Sequence, residues 1–182
     1  AEGRVPADQQ AVLCAMGLKE AERLEHTVEN VLISGHLRTA RYRIFPESIE
    51  LRARLEGFVE HRRRYLVGSP DSVRLVWEAG DEPVTVTADA SALTIILENL
   101  VDNAFKYGGD SPTILVRARR QEGRIAVAVE DSGIGFDPRT VEELFTPYRR
   151  ATASQVVQHG TGLGLPIART LARRMGGDLT AS

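Results

Sequence analysis

Three polar side chains recur at helical spacing in the middle of the chain, and together they could bind a charged ligand. At about 100° of rotation per residue, Asn99, Asn103 and Lys106 share an arc of about 60°, with Tyr107 beside them. An Asn oxygen can complete the octahedral shell of Mg2+ when phosphates and waters supply the other ligands, and a lysine can pair with phosphate. Asparagine is a poor helix former, so the pair either has such a compensating role or consists of solvated residues without function.

The other faces of this predicted helix indicate which side faces solvent and which side packs on the core. Glu98 and Asp102 lie about 100° or more from the asparagines, and we expect both to face solvent rather than to act as bases. The side next to the asparagines should pack on a core, because it is strongly apolar. Its residues are Leu93, Ile96, Leu97, Leu100, Val101 and Ala104.

Two glycine-rich segments could shape a nucleotide pocket. The sequence DSGIGF at 131–136 follows an apolar strand directly, and the Asp131 carboxylate can accept a hydrogen bond from an exocyclic amine such as that of adenine. The sequence GTGLGL at 160–165 opens the last helix, where free backbone amides form an anion site. It matches neither the Walker A nor the Rossmann pattern. Taken singly, the first segment could be an ordinary turn and the second a flexible hinge.

The segment 146–159, between the glycine motifs, has little apolar content, which predicts a mobile lid over a ligand. Phe145 and Tyr148 could anchor its start, and Arg149 and Arg150 could reach phosphate. The alternative is an ordinary exposed loop.

Interleaved helices and hairpins must position these residues. Helices are predicted over 7–39, from a cap at Glu50, over 89–107, near 141–144 and over 166–175. Strands are predicted at 42–45, at 73–78 and 84–87 as one hairpin, at 113–119 and 124–131 as another, and at the start of a final strand after Gly177. Strands that come as hairpins favour a mixed or antiparallel sheet with helices on one face.

Composition restricts the class of function. A formal net charge of -2 suggests no nucleic-acid partner, and the lone Cys14 excludes an internal disulfide. No apolar run approaches the roughly 18–20 residues of a membrane span, and the N-terminus lacks a signal-peptide pattern. We therefore expect a cytoplasmic domain without a membrane segment, whose parent protein could be anchored in the inner membrane.

The order of the motifs resembles that of bacterial two-component sensor histidine kinases. Residues 99–107 are similar to their N box, and residues 131–135 to their first glycine box. Residues 144–148 are similar to their F box, and residues 160–165 to their second glycine box. Gly176-Gly177 is similar to the glycine pair before their last strand. The resemblance covers about 42–182. It implies the Bergerat ATP-binding fold, which gyrase, the Hsp90 chaperones and the MutL repair proteins share.

The fold class that this resemblance implies is α+β. We expect a two-layer α/β sandwich, in which a mixed sheet packs against three main helices, preceded by a long N-terminal helix. ATP and Mg2+ would lie between the N-box helix and the lid.

The resemblance also implies roles for individual residues. Asn103 would hold Mg2+, Asn99 and Lys106 would be the catalytic side chains near the metal and phosphates, and Lys106 and Tyr107 would touch phosphate or ribose. Asp131 would bind the adenine amine. The other cofactor-binding positions would be Gly133 and Gly135 at the base, Arg150 from the lid, and Gly160, Thr161, Gly162, Leu163 and Gly164 at the phosphates.

The residue at position 99 bears on the reaction. ATP-hydrolysing members of the superfamily carry a glutamate base where this chain has Asn99, whereas a kinase that phosphorylates histidine needs no base to activate water. Asn99 therefore favours a protein-histidine kinase. The alternatives are a serine kinase of the anti-sigma type, which normally keeps the glutamate, and a nucleotide-competent module that docks a response regulator.

The N-terminal helix implies two domains. Residues 1–40 resemble the second helix of the family's dimerisation and phosphotransfer hairpin, and residues 41–182 its catalytic ATP-binding domain. His36 lacks the acidic neighbour and the proline of the family's H box, so we expect the phosphoacceptor histidine in the full-length protein or in trans. The expected partners are that histidine, a response regulator, and a second copy in a full-length homodimer.

Overall fold

The computed structural model describes residues 7–65, 72–109, 112–149 and 161–182, and the chain divides into two compact units. The first, Ala1–Tyr42, contains the long helix α1 (Ala7–Arg38), as the periodicity predicts. The N–H groups of Arg41 and Tyr42 close its end by donating to the His36 carbonyl (2.9 and 3.2 Å). No helix among the described residues has the length and apolarity that crossing a membrane requires. The large apolar side chains that α1 exposes are Leu13, Met16, Leu18, Leu24, Val28, Val31 and Leu32.

The second unit, Arg43–Ser182, alternates strands and helices. Its strands are β1 (Glu47–Glu50), β2 (Val73–Glu78), β3 (Thr85–Ala88), β4 (Ile114–Gln121) and β5 (Arg124–Asp131). Its helices are α2 (Leu51–Tyr65), α3 (Ala90–Tyr107), α4 (Val141–Leu144) and α5 (Gly164–Arg174). Glu50 caps α2 as predicted, because its carboxylate accepts the N–H groups of Arg52 and Ala53 (3.1 and 2.7 Å).

The strands form two sheets. β2, β4 and β5 make a mixed sheet in that order, in which β2 runs parallel to β4 and β4 pairs with β5 as an antiparallel hairpin. β1 and β3 form a separate antiparallel pair. The second predicted hairpin is thus confirmed, and its turn consists of Glu122 and Gly123, both at positive φ (50° and 76°).

Three strand predictions are wrong. Segment 42–45 is not a strand, because the Phe45 N–H donates to the Asp89 side chain (2.8 Å) and pairing starts only after Pro46. β2 and β3 do not form a hairpin, since β2 pairs with β4 and β3 with β1. Alternating apolar residues determine which face of a strand is buried, but not which strand it pairs with. The described residues 178–182 form no strand.

Helices cover one face of the mixed sheet, which gives the two layers of the predicted α+β sandwich. On β4, Ile114, Val116 and Ala118 are fully buried in alternation. They share one core with residues of α2 and α3, and α5 packs along α3, so these are the three main helices. The helical residues of this core are Leu51, Leu55, Phe58 and Val59 of α2, and Leu97, Val101 and Ala104 of α3.

Asp89 is a buried polar residue that links three parts of the second unit. It is the N-cap of α3, where its Oδ1 accepts the Ala92 N–H (2.9 Å), and its Oδ2 accepts the Phe45 N–H (2.8 Å). Its own N–H donates to Met175 Sδ after the end of α5 (3.4 Å). These bonds hold the start of α3 against the segment before β1 and against the end of α5.

We expect Asp89→Ala to lower the free energy of unfolding by about 1–3 kcal/mol, because it leaves two N–H donors without their acceptor. Asp89→Ser keeps one cap oxygen and should lose less. Urea unfolding of the wild type and both variants measures the losses. Equal losses for the two variants would contradict a role in two separate hydrogen bonds.

Candidate functional site

Helix α3 carries the predicted asparagines beside its buried face. Asn99 is 5 % exposed, and its Nδ2 donates to the Ile95 carbonyl one turn earlier (2.9 Å). Asn103 and Lys106 are half-buried, and Lys106 Nζ lies 4.9 Å from the centroid of the Tyr107 ring. One edge of α3 therefore presents two carboxamides and an ammonium group.

The second glycine segment meets this edge at Asn99. A Cβ built on Gly164 would lie 2.6 Å from Asn99 Oδ1 and 3.4 Å from its Cγ, which is too close for a side chain at position 164. Just before, Gly162 has φ 69°, and the Leu163 N–H donates to Thr161 Oγ1 (3.3 Å). The start of α5 therefore lies against Asn99, and the glycine segment leads directly into this contact.

The first glycine segment meets α3 at its other end. The Ile134 N–H donates to the Tyr107 carbonyl (3.3 Å), and a Cβ built on Gly133 would lie 2.6 Å from that same oxygen. Asp131 is exposed, and its Oδ1 accepts the Gly133 N–H (2.8 Å). The next glycine, Gly135, has φ 66°. The predicted base-binding segment is thus held against the last turn of α3.

The structure therefore brings both glycine segments to the same helix, one at Asn99 and the other at Tyr107. Asn103 and Lys106 lie between these two contact points along α3. Of the residues predicted from the sequence, Arg150 and Gly160 lie outside the described residues, as does most of the predicted lid.

The described first residues of the predicted lid contact the second glycine segment. The Tyr148 N–H donates to the Gly162 carbonyl (3.1 Å), and a Cβ on Gly162 would lie 2.9 Å from the Arg149 carbonyl oxygen. Tyr148 adopts φ 64°, which is unusual for a residue with a side chain. Arg149 forms a surface ion pair with Glu143 (2.8 Å), so its guanidinium interacts with the neighbouring helix α4.

Residues 88–182, just over half of the chain, match the family described as histidine kinase-, DNA gyrase B-, and HSP90-like ATPase. The chain belongs to this ATPase family.

Relatives show which branch of the ATPase family it resembles. The chain is 31% identical over 164 residues to the signal transduction histidine-protein kinase AfsQ2 of Streptomyces coelicolor, covering 90% of this chain and 29% of that protein. It is 34% identical over 137 residues to the sensor protein TorS of Escherichia coli, covering 75% of this chain and 14% of that protein. The chain thus spans less than a third of either relative. It is an ATP-binding domain of the sensor histidine kinase type.

Solved structures show the same fold. Full-length ShkA in complex with AMPPNP has a TM-score of 0.68 at 24% identity, covering 96% of this chain and 35% of that one. The histidine kinase ThkA in complex with the response regulator protein TrrA has a TM-score of 0.63 at 20% identity, covering 96% of this chain and 47% of that one.

One prediction for the ATPase-family domain is wrong. Glu98 and Asp102 are half-buried rather than solvent-facing, and the Asp102 carboxylate pairs with Arg62 of α2. The helical wheel correctly separates Asp102 from the asparagines, but it does not reveal that α2 covers that side of α3. The arginine-rich last turn of α2 was the signal for an acidic partner.

The sequence also gave no indication of the contacts of Arg169, which joins α5 to α4. Its guanidinium donates to both oxygens of Glu142 (2.7 and 3.3 Å) and to Asp178 (3.2 Å). The same group lies 4.3 Å from the centroid of the Phe145 ring. Glu142 is 27 residues from Arg169 and Asp178 is nine, so no helical or strand spacing connects them.

This cluster shifts the titration of two carboxyl groups. The side-chain hydrogen bond from Arg169 lowers the pKa of the Glu142 carboxyl below its ordinary value. The pKa of Asp178 falls to about 2, chiefly because it accepts hydrogen bonds from the Arg173 side chain and the Leu179 N–H, and also from Arg169.

We expect Gly164→Ala to destabilise the domain by about 1–3 kcal/mol, because the new methyl group must displace the buried Asn99 side chain. Gly57→Ala is the matched control: nothing lies within 4 Å of a Cβ there, and a helix-interior position should gain about 1 kcal/mol. Urea unfolding measures both. In a double-mutant cycle, Asn99→Ala should relieve part of the Gly164→Ala loss, and strict additivity would contradict the contact.

The lowered pKa of Asp178 predicts how the stability of the domain changes at low pH. Because the folded pKa of Asp178 is depressed, its contribution to stability is complete above its ordinary pKa of 3.8 and disappears as the pH falls through about 2. We expect Asp178→Asn to be less stable than the wild type at pH 7. The difference in urea midpoint should shrink between pH 4 and pH 2. A difference that stays constant over this range would contradict the assignment.

Proposed function

We propose that this chain binds Mg-ATP along the edge of α3 and transfers the γ-phosphate to a histidine of a protein-histidine kinase outside these 182 residues. The observation that carries the proposal is the contact of both glycine segments with one helix, at Asn99 and at Tyr107. Between those contacts, the helix presents an amide oxygen and an ammonium group. A triphosphate with its metal needs such partners.

Asp131 and Gly133 would form the base end of the site. A carboxylate accepts hydrogen bonds at both oxygens, so Asp131 can bind the adenine amine while its Oδ1 holds the Gly133 N–H. Gly133 lets the segment approach Tyr107 closely, and Gly135 provides the left-handed turn that follows. The base would thus be recognised by a segment that is itself attached to α3.

The phosphate end would be formed by Lys106, Asn103 and the backbone from Thr161 to Gly164. The described residues contain no group of three or more His, Cys, Asp or Glu side chains able to hold a metal. Mg2+ would therefore take one oxygen from Asn103 and the rest from phosphates and water, which suits its preference. When bound, it would neutralise charge on the transferring phosphate. Asn99, whose Nδ2 is held by Ile95, would fix the amides around Gly164.

Position 99 favours transfer over hydrolysis. A carboxamide cannot take a proton from water, so Asn99 is unsuited to generating a hydroxide nucleophile. The nearby carboxylate Asp102 is on another face of the helix and pairs with Arg62. A histidine ring supplies its own nucleophilic nitrogen and needs no such base. The anti-sigma type of serine kinase is less favoured, because it normally keeps a glutamate at position 99.

The partners follow from the same proposal. We infer that residues 1–40 belong to the dimerisation hairpin and that residues 41–182 are the catalytic domain. The exposed apolar side chains of α1 support a helical partner in a homodimer of the full-length protein. A response regulator would receive the phosphate in turn. Because ATP is the phosphate donor, we infer a cytoplasmic location, whether or not the parent protein is anchored in the inner membrane.

Nucleotide binding is the first test. We expect the 182-residue chain to bind Mg-ATP in isothermal titration calorimetry, and Asp131→Asn or Asn103→Ala to weaken binding about tenfold or more. Asp137→Asn, a carboxylate later in the same loop that pairs with Arg139, is the matched control and should bind like the wild type. A wild type that binds no nucleotide would refute the proposal.

Phosphate transfer is the second test. The chain should label a separately produced hairpin carrying an H-box histidine, when both are incubated with γ-labelled ATP and Mg2+. The product should be acid-labile, as phosphohistidine is. An acid-stable phosphoserine would instead support the serine kinase alternative. Labelling of neither residue, despite nucleotide binding, would favour the docking module.

A further inference from the structure

We propose that Arg169 is a positioning residue of the nucleotide site, which holds Phe145 and α4 in place so that Tyr148 supports the phosphate-side glycine segment. The inference rests on the proposed function. Arg169 itself is one turn beyond Gly164 along α5, and it is not among the residues that would touch the nucleotide.

Arg169 is held from several sides at once. Its side chain is only 12 % exposed, although its partner Glu142 is 79 % exposed. The two bonds to Glu142 form a fork-like pair that defines direction as well as distance. The Phe145 ring lies against the guanidinium, and Asp178 accepts from its Nε. A lysine could not provide the two parallel N–H donors and the planar face.

The same stretch of chain also contacts the glycine segment that precedes α5. Three residues after Phe145, the Tyr148 N–H donates to the Gly162 carbonyl, and the backbone of Tyr148 and Arg149 fills the space where a Gly162 side chain would be. Arg169 therefore holds one end of a short segment whose other end contacts the backbone before α5. If the first contact is lost, Tyr148 is no longer constrained to meet Gly162.

The strengths of these interactions indicate whether loss of Arg169 should lower stability or nucleotide affinity. An ion pair with a solvent-exposed carboxylate contributes little to global stability. Phosphate binding by backbone amides depends on their placement to within about half an ångström. Loss of Arg169 should therefore weaken binding of the triphosphate more than it lowers stability. It should spare recognition of the base, because the segment around Asp131 is attached to the other end of α3.

The test compares Arg169→Ala with Arg173→Ala in the 182-residue chain. Arg173 lies one turn further along α5, is 56 % exposed and shares the partner Asp178, but has no contact with Glu142 or Phe145 among its hydrogen bonds and ring contacts. We expect Arg169→Ala to weaken Mg-ATP binding about tenfold in calorimetry, with adenosine affinity and urea midpoint near those of the control. Arg173→Ala should leave ATP binding unchanged.

Three further variants separate a positioning role from a general loss of structure. Glu142→Ala should reproduce much of the loss, and the Arg169→Ala/Glu142→Ala double variant should be no weaker than Arg169→Ala, because the pair acts as a unit. Arg169→Lys should recover only part of the ATP affinity. Equal ATP affinity of Arg169→Ala and Arg173→Ala, or a parallel fall in ATP and adenosine affinity, overturns this inference alone. A wild type that fails to bind ATP overturns the proposed function with it.

Discussion

The first turn of α5 lies against α3 because residue 164 has no side chain. Asn99 Oδ1 lies 2.6 Å from the place where a Cβ would be, and the Nδ2 of the same carboxamide donates to the Ile95 carbonyl, so Asn99 cannot easily turn away. Gly133 repeats the arrangement at the Tyr107 carbonyl. Two close backbone approaches thus place two distant segments on one helix, and a larger residue at either position would move its segment outward.

The sequence predicted those elements whose signals are local. The apolar stripe of α3, the hairpin of β4 and β5 and the long helix α1 follow from periods of 3.6 and 2, which each segment expresses on its own. The pairing of β2 and β3 was not predictable in this way. Each has an alternating pattern, but the partner of a strand depends on contacts with residues far along the chain. The first strand begins at Glu47 rather than in the predicted segment 42–45 for a similar reason, because the Phe45 N–H donates to the distant Asp89 side chain.

The candidate site shows the same limit at the level of side chains. Asn99, Asn103 and Lys106 could be placed on one arc from spacing alone, and the glycine segments could be recognised by composition. The half-buried position of Asp102 could not be predicted, since it pairs with Arg62 from another helix. Arg169 was not predicted for the same reason, as its partners come from two other stretches of chain, Glu142 and Phe145 at α4 and Asp178 after α5.

The parallel pairing of β2 with β4 has a consequence for how the protein folds. β3 and α3 both lie within the connection between these two strands, so the core that α3 shares with them is complete only when strands far apart in the chain have met. Closing this connection costs conformational entropy before the contacts between the strands can form. Proteins rich in such non-local contacts fold slowly. The core on which the asparagine-bearing helix packs therefore requires a long-range pairing, even though the sequence signal of that helix is local.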